Sequence, residues 1–150
     1  MTKGNEMKSV HYRGDDRSAA QVIEEARESL MIVAPHLDDQ LLGKLFALAE
    51  PVDVNLLTRR KSVREGGRRL RDHIKQLQDI NGNVEVRVTD EGFPAFTIVD
   101  GAHLHCFSRA SKRLAAEEPE TLVEAAQALW ARSDPLESRH LEGDTAVNPS

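Results

Sequence analysis

The sequence predicts an α/β fold with a mixed, mostly parallel sheet flanked by helices. The run 30–34 has the length and the continuous hydrophobicity of a strand that is buried on both faces, and the segment 52–58 is interpreted as a second buried strand. A segment with helical periodicity lies between them, and two strands joined by one helix predict a right-handed βαβ unit with a parallel pair. Asp100-Gly101 separates two further apolar stretches, which predicts a hairpin and therefore an antiparallel pair.

The first two helices are predicted from their end signals. Ser18 and Gln21 have the spacing of a capping box, and apolar residues recur at helical spacing from there to the first strand. Asp38 and Asp39 suit the N-terminus of the second helix, because carboxylates are favourable at that end of the helix dipole. Pro51 ends this helix before the second strand.

A long helix is predicted over 63–80. Gly66-Gly67 weakens its first turns by about 1 kcal/mol per glycine, so these turns are also compatible with a loop. Asn81-Gly82 ends the helix, and the alternating segment 84–88 indicates a half-exposed strand.

The chain is expected to form one domain with two different ends. We assign 1–17 to an N-terminal extension or edge strand and 18–132 to the folded domain, whose last helix opens with a capping box at 121–124. The segment 133–150 is polar, contains proline and glycine, and lacks periodicity, so it is expected to be a flexible tail.

Composition excludes several classes of protein. The chain has 150 residues and 39% hydrophobic content, which suits a single globular domain. It contains no apolar run near the ~20 residues of a membrane span and no apolar segment of a signal peptide, so we expect a cytoplasmic protein without a membrane partner. Cys106 is the only cysteine, which excludes an internal disulfide.

Positive charge is concentrated in one segment of an otherwise acidic chain. Between Arg59 and Lys75 there are eight basic and two acidic residues, a local charge of +6, whereas the whole chain carries −5. Such segregation is typical of a surface that binds anions, including nucleic acid, although a solvated helix face has the same signature. The candidate anion-binding residues are Lys61, Arg64, Arg68, Arg69 and Arg71.

The stretch 93–101 carries a resemblance to a known family. It resembles the catalytic strand of phospholipase D-like proteins, which has the pattern His-x-Lys, four residues, then Asp-Gly. Asp100-Gly101 matches the end of the pattern, but Phe93 stands at the His position and Ala95 at the Lys position. Ser108 corresponds to a serine that helps to hold phosphate in that family. The resemblance extends over about 18–108.

The resemblance implies a phospholipase D-like three-layer sandwich that has lost its catalytic groups. A phenyl ring cannot attack phosphorus and a methyl group cannot hold a phosphate charge. The variant pattern looks most like the effector-binding phospholipase D-like domain of TrmB-type regulators. Because active members use two motif copies, one copy implies a homodimer.

We therefore expect a non-catalytic binding or regulatory module, without a cofactor, for an anionic, sugar-phosphate or nucleic-acid ligand. In open α/β sheets, ligands bind just outside the carboxyl ends of the strands, which places His36 at the expected site. The candidate ligand-binding residues are His36, Asp38, Arg59, Arg60, Phe93, Asp100 and Ser108.

Two enzymatic alternatives stay open. The segment 34–43, which contains His36, Asp38 and Asp39, is similar to the metal-binding start of LmbE-like deacetylases and would imply a zinc-dependent hydrolase. Gln40 stands where that motif has Glu, and the third ligand would have to come from His103 or His105. Residual phosphodiester hydrolysis through His103 or His105 is the other alternative.

Overall fold

The computed structural model describes residues 11–13, 19–37, 39–48, 52–80 and 83–136. They form seven strands and six helices. The strands are β1 (His11–Arg13), β2 (Ser29–Val33), β3 (Asp53–Arg59), β4 (Val84–Thr89), β5 (Phe96–Val99), β6 (His103–Cys106) and β7 (Asp134–Pro135). The helices are α1 (Ala19–Ile23), α2 (Asp39–Phe46), α3 (Arg60–Glu65), α4 (Gly67–Ile80), α5 (Arg109–Glu117) and α6 (Pro119–Ala131).

All seven strands belong to one mixed sheet in the order β1-β6-β5-β2-β3-β4-β7. The β1·β6, β2·β3 and β3·β4 pairs are parallel, and the β2·β5, β5·β6 and β4·β7 pairs are antiparallel. The predicted α/β class and the Asp100-Gly101 hairpin are confirmed. The prediction of a mostly parallel sheet is wrong among these strands, because the numbers of parallel and antiparallel pairs are equal. The antiparallel pairs arise from the β5·β6 hairpin, from the position of β5 beside β2 and from the edge strand β7.

Helices cover the sheet on two faces, which we call the front and the back. On the front face, apolar side chains of α1 to α4 pack on alternate residues of β2, β3 and β4 in the larger apolar cluster. On the back face, α5 and α6 pack on β2, β5 and β6 in a second cluster. The layers are held together mainly by the burial of apolar surface, which contributes about 25 cal/mol per Å².

Strand β3 differs from its prediction as a strand buried on both faces. Val54 and Leu56 point into the front cluster and are fully buried, but Asp53 and Asn55, which point to the back, are exposed. The alternation of polar and apolar residues at 53–56 is the sequence signal for this arrangement. The helices of the back face therefore leave part of β3 open to solvent.

The predicted long helix over 63–80 is two helices joined at Gly66-Gly67. Gly67 has a φ of 78°, a left-handed conformation that glycine adopts without steric cost. Gly66 is required for a different reason, because a Cβ atom there would overlap the side chain of Leu70. Both glycines are therefore part of the corner between α3 and α4.

The last two helices also differ from the prediction. Helix α6 begins at Pro119, two residues before the predicted capping box, because proline is suited to the first turn of a helix. Helix α5 was not predicted, and it begins with a capping box formed by Ser108 and Ser111.

The ends of the chain contribute edge strands. β1 lies at one edge of the sheet, beside β6. β7 and the buried Leu136 lie at the other edge, within the segment that was expected to be a flexible tail. Several predicted features lie outside the described residues, namely the helix cap at Ser18, the helix ends at Pro51 and at Asn81-Gly82, and the candidate site residue Asp38. Within the described ranges, no helix has both the length and the apolar composition of a membrane span.

Candidate functional site

Most of the predicted ligand-binding residues meet at the carboxyl edge of β2, β3 and β4. His36 follows β2, Arg59 ends β3 and Arg60 begins the next helix. Because β5 runs antiparallel to β2, with Val33 opposite Phe96, the residues before β5 reach the same edge. Phe93 and, after β6, Ser108 therefore lie on this side of the sheet.

Asp100 lies at the opposite edge and does not belong to this group. Its Oδ1 accepts hydrogen bonds from the backbone N–H groups of Arg27 (3.0 Å), Glu28 (2.7 Å) and Ser29 (3.1 Å). The carboxylate thus holds the loop between α1 and β2. The structure does not bring Asp100 and Phe93 together, because the length of β5 separates the two residues.

The charge of Asp100 is stabilised by these donors. Partial burial pushes the pKa of the carboxyl upward, but the hydrogen bonds from Glu28, Ser29 and Arg27 and the nearby His103 outweigh it, so the pKa is lower than usual. Asp100 also has a φ of 55°, which aspartate tolerates better than most residues. Its role in the structure is that of a turn and a cap.

Arg60 is held by two carboxylates. Its Nε donates to Oδ1 of Asp90 (3.1 Å) and an Nη donates to Oδ2 of Asp134 (2.6 Å). The hydrogen bond to Asp134 is the main reason that the pKa of Arg60 is raised; burial opposes this increase, and Asp90 adds to it. Arg60 joins the ends of β3 and β4 to β7, and an anion would have to displace two carboxylates to reach it.

Arg59 is the better placed cation at this edge. Its side chain is half-buried, and its Nε is buried without a hydrogen-bond partner among the described residues. A buried donor without an acceptor is unfavourable by about 1–3 kcal/mol, which an anionic ligand would relieve. His36 is exposed nearby, in a loop that the N–H of Leu37 anchors to Oγ of Ser62 (3.3 Å).

The motif positions are occupied by residues that stabilise the fold. The Phe93 ring packs against the back cluster. The carbonyl of Ala95 accepts hydrogen bonds from the Ser111 hydroxyl (2.7 Å) and the Phe107 N–H (3.1 Å). Oγ of Ser108 accepts from the N–H of Ser111 (3.2 Å) as the cap of α5. Ligand binding by Ser108 would compete with this cap.

The side chains of the basic segment differ in their exposure to solvent and in their ion pairing. Arg71 is 8% exposed and directs an Nη to the Arg64 carbonyl (3.5 Å), so its side chain is part of the packing between helices. Arg69 pairs with Asp39 (3.3 Å) across to α2, and Lys61 pairs with Glu65 (3.9 Å).

Arg64 and Arg68 are the two open cations of this segment. Both side chains are exposed, and no carboxylate of the described chain pairs with either. We refer to Arg64 and Arg68, with the exposed Lys61 and Arg69 beside them, as the basic surface. It lies on the front side of the sheet, where α3 meets α4.

The histidines of the enzymatic alternatives are at opposite edges. His103 begins β6 opposite Val99, whereas His36 follows the other end of β2, and roughly 10 Å of strand separates these edges at ~3.3 Å per residue. His105 is 1% exposed, with Nε2 3.9 Å from Oε1 of Glu25. Among the described residues, no three His, Cys, Asp or Glu side chains form a potential metal site.

Sequence reasoning missed the partners that decide which cations are open. Asp90, Asp134 and Asp39 neutralise arginines from other elements, and a single sequence carries no signal for such pairs. The Ser108 and Ser111 cap has a detectable signal, because serine is common at helix N-termini.

Comparisons with known proteins give a limited result. No family model matches the chain, and no curated protein matches it. Among solved structures it is similar to TrmBL2, an archaeal chromatin protein whose structure shows a novel mode of DNA binding, at 14% identity and a TM-score of 0.49. The match covers 77% of this chain and 47% of TrmBL2, so the chain spans about half the length of that protein. At this level the likeness carries no argument about family or function.

Proposed function

We propose that this protein is a non-catalytic, phospholipase D-like binding module, and that its ligand is nucleic acid contacted through the phosphate backbone. The observation that carries the proposal is the pair of exposed arginines on the basic surface, Arg64 and Arg68, which no described carboxylate neutralises. Guanidinium groups form strong bidentate hydrogen bonds with phosphate.

The number of available cations sets the expected strength of binding. Arg64 and Arg68 supply two contacts, and Lys61 and Arg69 add up to two more if phosphate displaces their carboxylate partners. Because the slope of log K against log salt is about −0.9 per phosphate contact, we expect a slope of roughly −2 to −4. Binding of this kind is weak and does not depend on sequence.

The proposal of a non-catalytic module depends on positions 93 and 95. In the pattern that the chain resembles, these positions hold the nucleophile and the phosphate-binding lysine. Here the Phe93 ring supports the back cluster, and Ala95 contributes its carbonyl to the start of α5. Neither side chain has a group that can accept a proton or attack phosphorus.

The test is fluorescence anisotropy with labelled single- and double-stranded DNA between about 50 mM and about 200 mM salt. We expect binding that weakens with salt and a clear loss of affinity in the double variant Arg64→Ala/Arg68→Ala. The matched control is Arg109→Ala/Arg113→Ala, which removes two exposed arginines from α5 and changes the net charge equally.

The control separates a local contact from general electrostatic attraction. Equal losses in both double variants would show that net charge alone governs binding and would refute the basic surface as the contact. No binding to either DNA at about 50 mM salt would refute nucleic acid as the ligand.

A second candidate, a small sugar phosphate or similar anion at the carboxyl edge, is favoured by the buried Nε of Arg59. In calorimetric titrations with glucose 6-phosphate and inorganic phosphate, the candidate requires saturable binding that Arg59→Met abolishes. Arg60→Met should have a smaller effect on binding, because two carboxylates already neutralise Arg60. Binding that Arg59→Met leaves intact would remove this candidate.

The homodimer is a separate proposal that follows from the single motif copy. Sedimentation velocity across micromolar concentrations tests it directly. A species of twice the chain mass supports the dimer, and a monomer at every concentration refutes it.

A further inference from the structure

A pocket of about 280 Å³ lies on the back face, away from the basic surface and from the carboxyl-edge residues. One wall is the sheet, where register places Ile98, Met31 and Asn55 side by side across β5, β2 and β3. The other wall is α6, and Gly101 of the hairpin lies between the two.

The wall formed by α6 is one continuous helical face. Val123, Ala126, Gln127 and Trp130 have the spacing i, i+3, i+4 and i+7, which brings them onto the same side of a helix. Ala126 is 2% exposed, so this face is packed against the sheet. The pocket is a surface cleft between this helical face and the sheet.

The size of the pocket limits the ligand to a small molecule. At about 30 Å³ per water molecule in the liquid, the volume equals that of roughly nine waters. Pockets that bind small molecules and cofactors start at about 300 Å³, so this one is at the lower limit of that range. One or two fused rings fit this space.

The lining determines the chemistry of the ligand. The wall residues are mostly apolar, with the thioether of Met31 and the indole of Trp130 among them. The polar side chains that line it are the carboxamides of Asn55 and Gln127, which make no hydrogen bond to another described residue. Both residues are exposed, so the pocket is open to solvent on their side.

A carboxamide presents an N–H donor and a C=O acceptor side by side in a single plane. It therefore pairs best with a planar ring that has a donor and an acceptor on adjacent atoms, as adenine does with asparagine or glutamine. Among the described residues, no charged side chain lines the pocket, which disfavours an ionic ligand. A hexose is also disfavoured, because most of its hydroxyl groups would face apolar side chains without partners.

Arg87 does not change this assignment, although it is close to Trp130. Its guanidinium lies 5.1 Å from the centroid of the Trp130 ring, and it donates to the carbonyls of Trp130 (3.3 Å) and Ser133 (3.0 Å). Its Nε donates to Glu85 (3.0 Å). Arg87 thus fixes the end of α6 and the orientation of the indole ring while its own charge is compensated.

We propose that the pocket between α6 and the sheet binds a neutral, planar heterocycle that carries adjacent hydrogen-bond donor and acceptor atoms. The ring lies between the apolar side chains of the two walls, and the carboxamides of Asn55 and Gln127 bind its polar edge. This site is independent of the proposed nucleic-acid contact, because it is on the other face of the sheet and uses none of the same residues.

The experiment uses free adenine as the probe and the fluorescence of Trp130, which is the only tryptophan of the chain. Excitation at the red edge of the indole band avoids absorption by adenine. We expect a saturable change in emission, and equilibrium dialysis supplies a second measurement that does not depend on fluorescence. Glucose, tested in parallel, is expected to produce no saturable change.

Two variants test the polar edge. Asn55→Leu and Gln127→Leu each remove one carboxamide at an exposed position, where leucine is tolerated by the fold, and each should weaken adenine binding roughly tenfold. The matched control, Gln76→Leu, removes an exposed carboxamide from α4 on the front face and should leave binding unchanged.

The outcomes are distinguishable. Absence of saturable binding by both methods up to about 1 mM adenine would overturn the proposal. Binding that both leucine variants retain, or that Gln76→Leu weakens equally, would place adenine outside this pocket and would also overturn it. Because the variants keep every cation of the basic surface, their DNA affinity should match that of the unmodified protein.

Discussion

Replacement of Asp100 tests whether one carboxylate holds the loop that leads into the central strand. Three backbone N–H groups, from Arg27, Glu28 and Ser29, point at the same oxygen. Hydrogen bonds to a charged group contribute about 1.5–3 kcal/mol each, but Arg27 and Glu28 are exposed and water can replace the carboxylate there. We therefore take the full stabilising contribution from the hydrogen bond of Ser29 and only a small contribution from those of Arg27 and Glu28.

For Asp100→Ala the expected loss in the free energy of unfolding is about 3 kcal/mol, to which the left-handed backbone of residue 100 contributes about 1 kcal/mol. Asp100→Asn keeps an acceptor and tolerates this conformation, so its expected loss is about 1 kcal/mol. Urea unfolding followed by Trp130 fluorescence and far-ultraviolet circular dichroism measures both. The control Asp79→Ala, at an exposed helix position, should change stability by less than about 0.5 kcal/mol.

Acid should remove the difference between wild type and Asp100→Asn. Because the folded-state pKa of Asp100 is lowered, the stabilisation is complete above the unfolded-state pKa of about 3.9 and is lost as pH falls through the folded value. The two proteins should therefore differ constantly between about pH 7 and pH 5, and the difference should begin to shrink only as the pH falls below about 4. Equal losses for the alanine and asparagine variants at pH 7, or no convergence in acid, would refute the assignment of the loop to a charged acceptor.

Three further predictions concern the corner, the core and the sheet edge. Gly66→Ala places a Cβ against Leu70, and Gly67→Ala forces alanine into a left-handed conformation. Urea unfolding should therefore show that each substitution lowers the free energy of unfolding by about 1–3 kcal/mol. An unchanged free energy of unfolding would mean that the corner rearranges freely. Cys106 is 5% exposed and burial raises the pKa of its thiol, so a disulfide reagent at mildly alkaline pH should react slowly until urea unfolds the chain, and immediate reaction would contradict the buried placement. Arg60→Ala should cost about 1 kcal/mol, with faster hydrogen exchange of the Leu136 N–H, which donates to the Val86 carbonyl next to β7; unchanged exchange there would show that the ion pairs do not hold this edge.

Sequence patterns identified the strands β2 to β6 because their signals are local, whereas β7 lies in a segment without such a signal. Continuous apolar residues at 30–34 and the Asp100-Gly101 turn each specify a conformation without help from distant residues. The break between α3 and α4 has a local signal as well, but its form depends on the close approach of Leu70, which appears only when the helices pack. The open back face of β3 depends on which strands α6 covers, and this is a property of the tertiary structure.

The candidate site was harder to predict because charge neutralisation is non-local. Arg60, Arg69 and Arg71 have the same residue type and lie in one basic run, yet two of them pair with carboxylates from other elements and the third is buried. The sequence separation between Arg60 and Asp134 is 74 residues, so no local pattern links them. Counting charges in a segment therefore overestimates the number of cations that a ligand can reach.

The positions that resemble a catalytic motif are each explained by folding. Phe93 fills part of the back cluster, Ser108 caps α5, and Asp100 caps the loop before β2 at the far edge of the sheet. Since these side chains are engaged in the fold, binding requires groups that the fold does not use. Arg64 and Arg68 on the front, and the carboxamides of Asn55 and Gln127 on the back, meet this condition. The two proposed sites thus occupy opposite faces of the sheet, and neither depends on the residues of the motif.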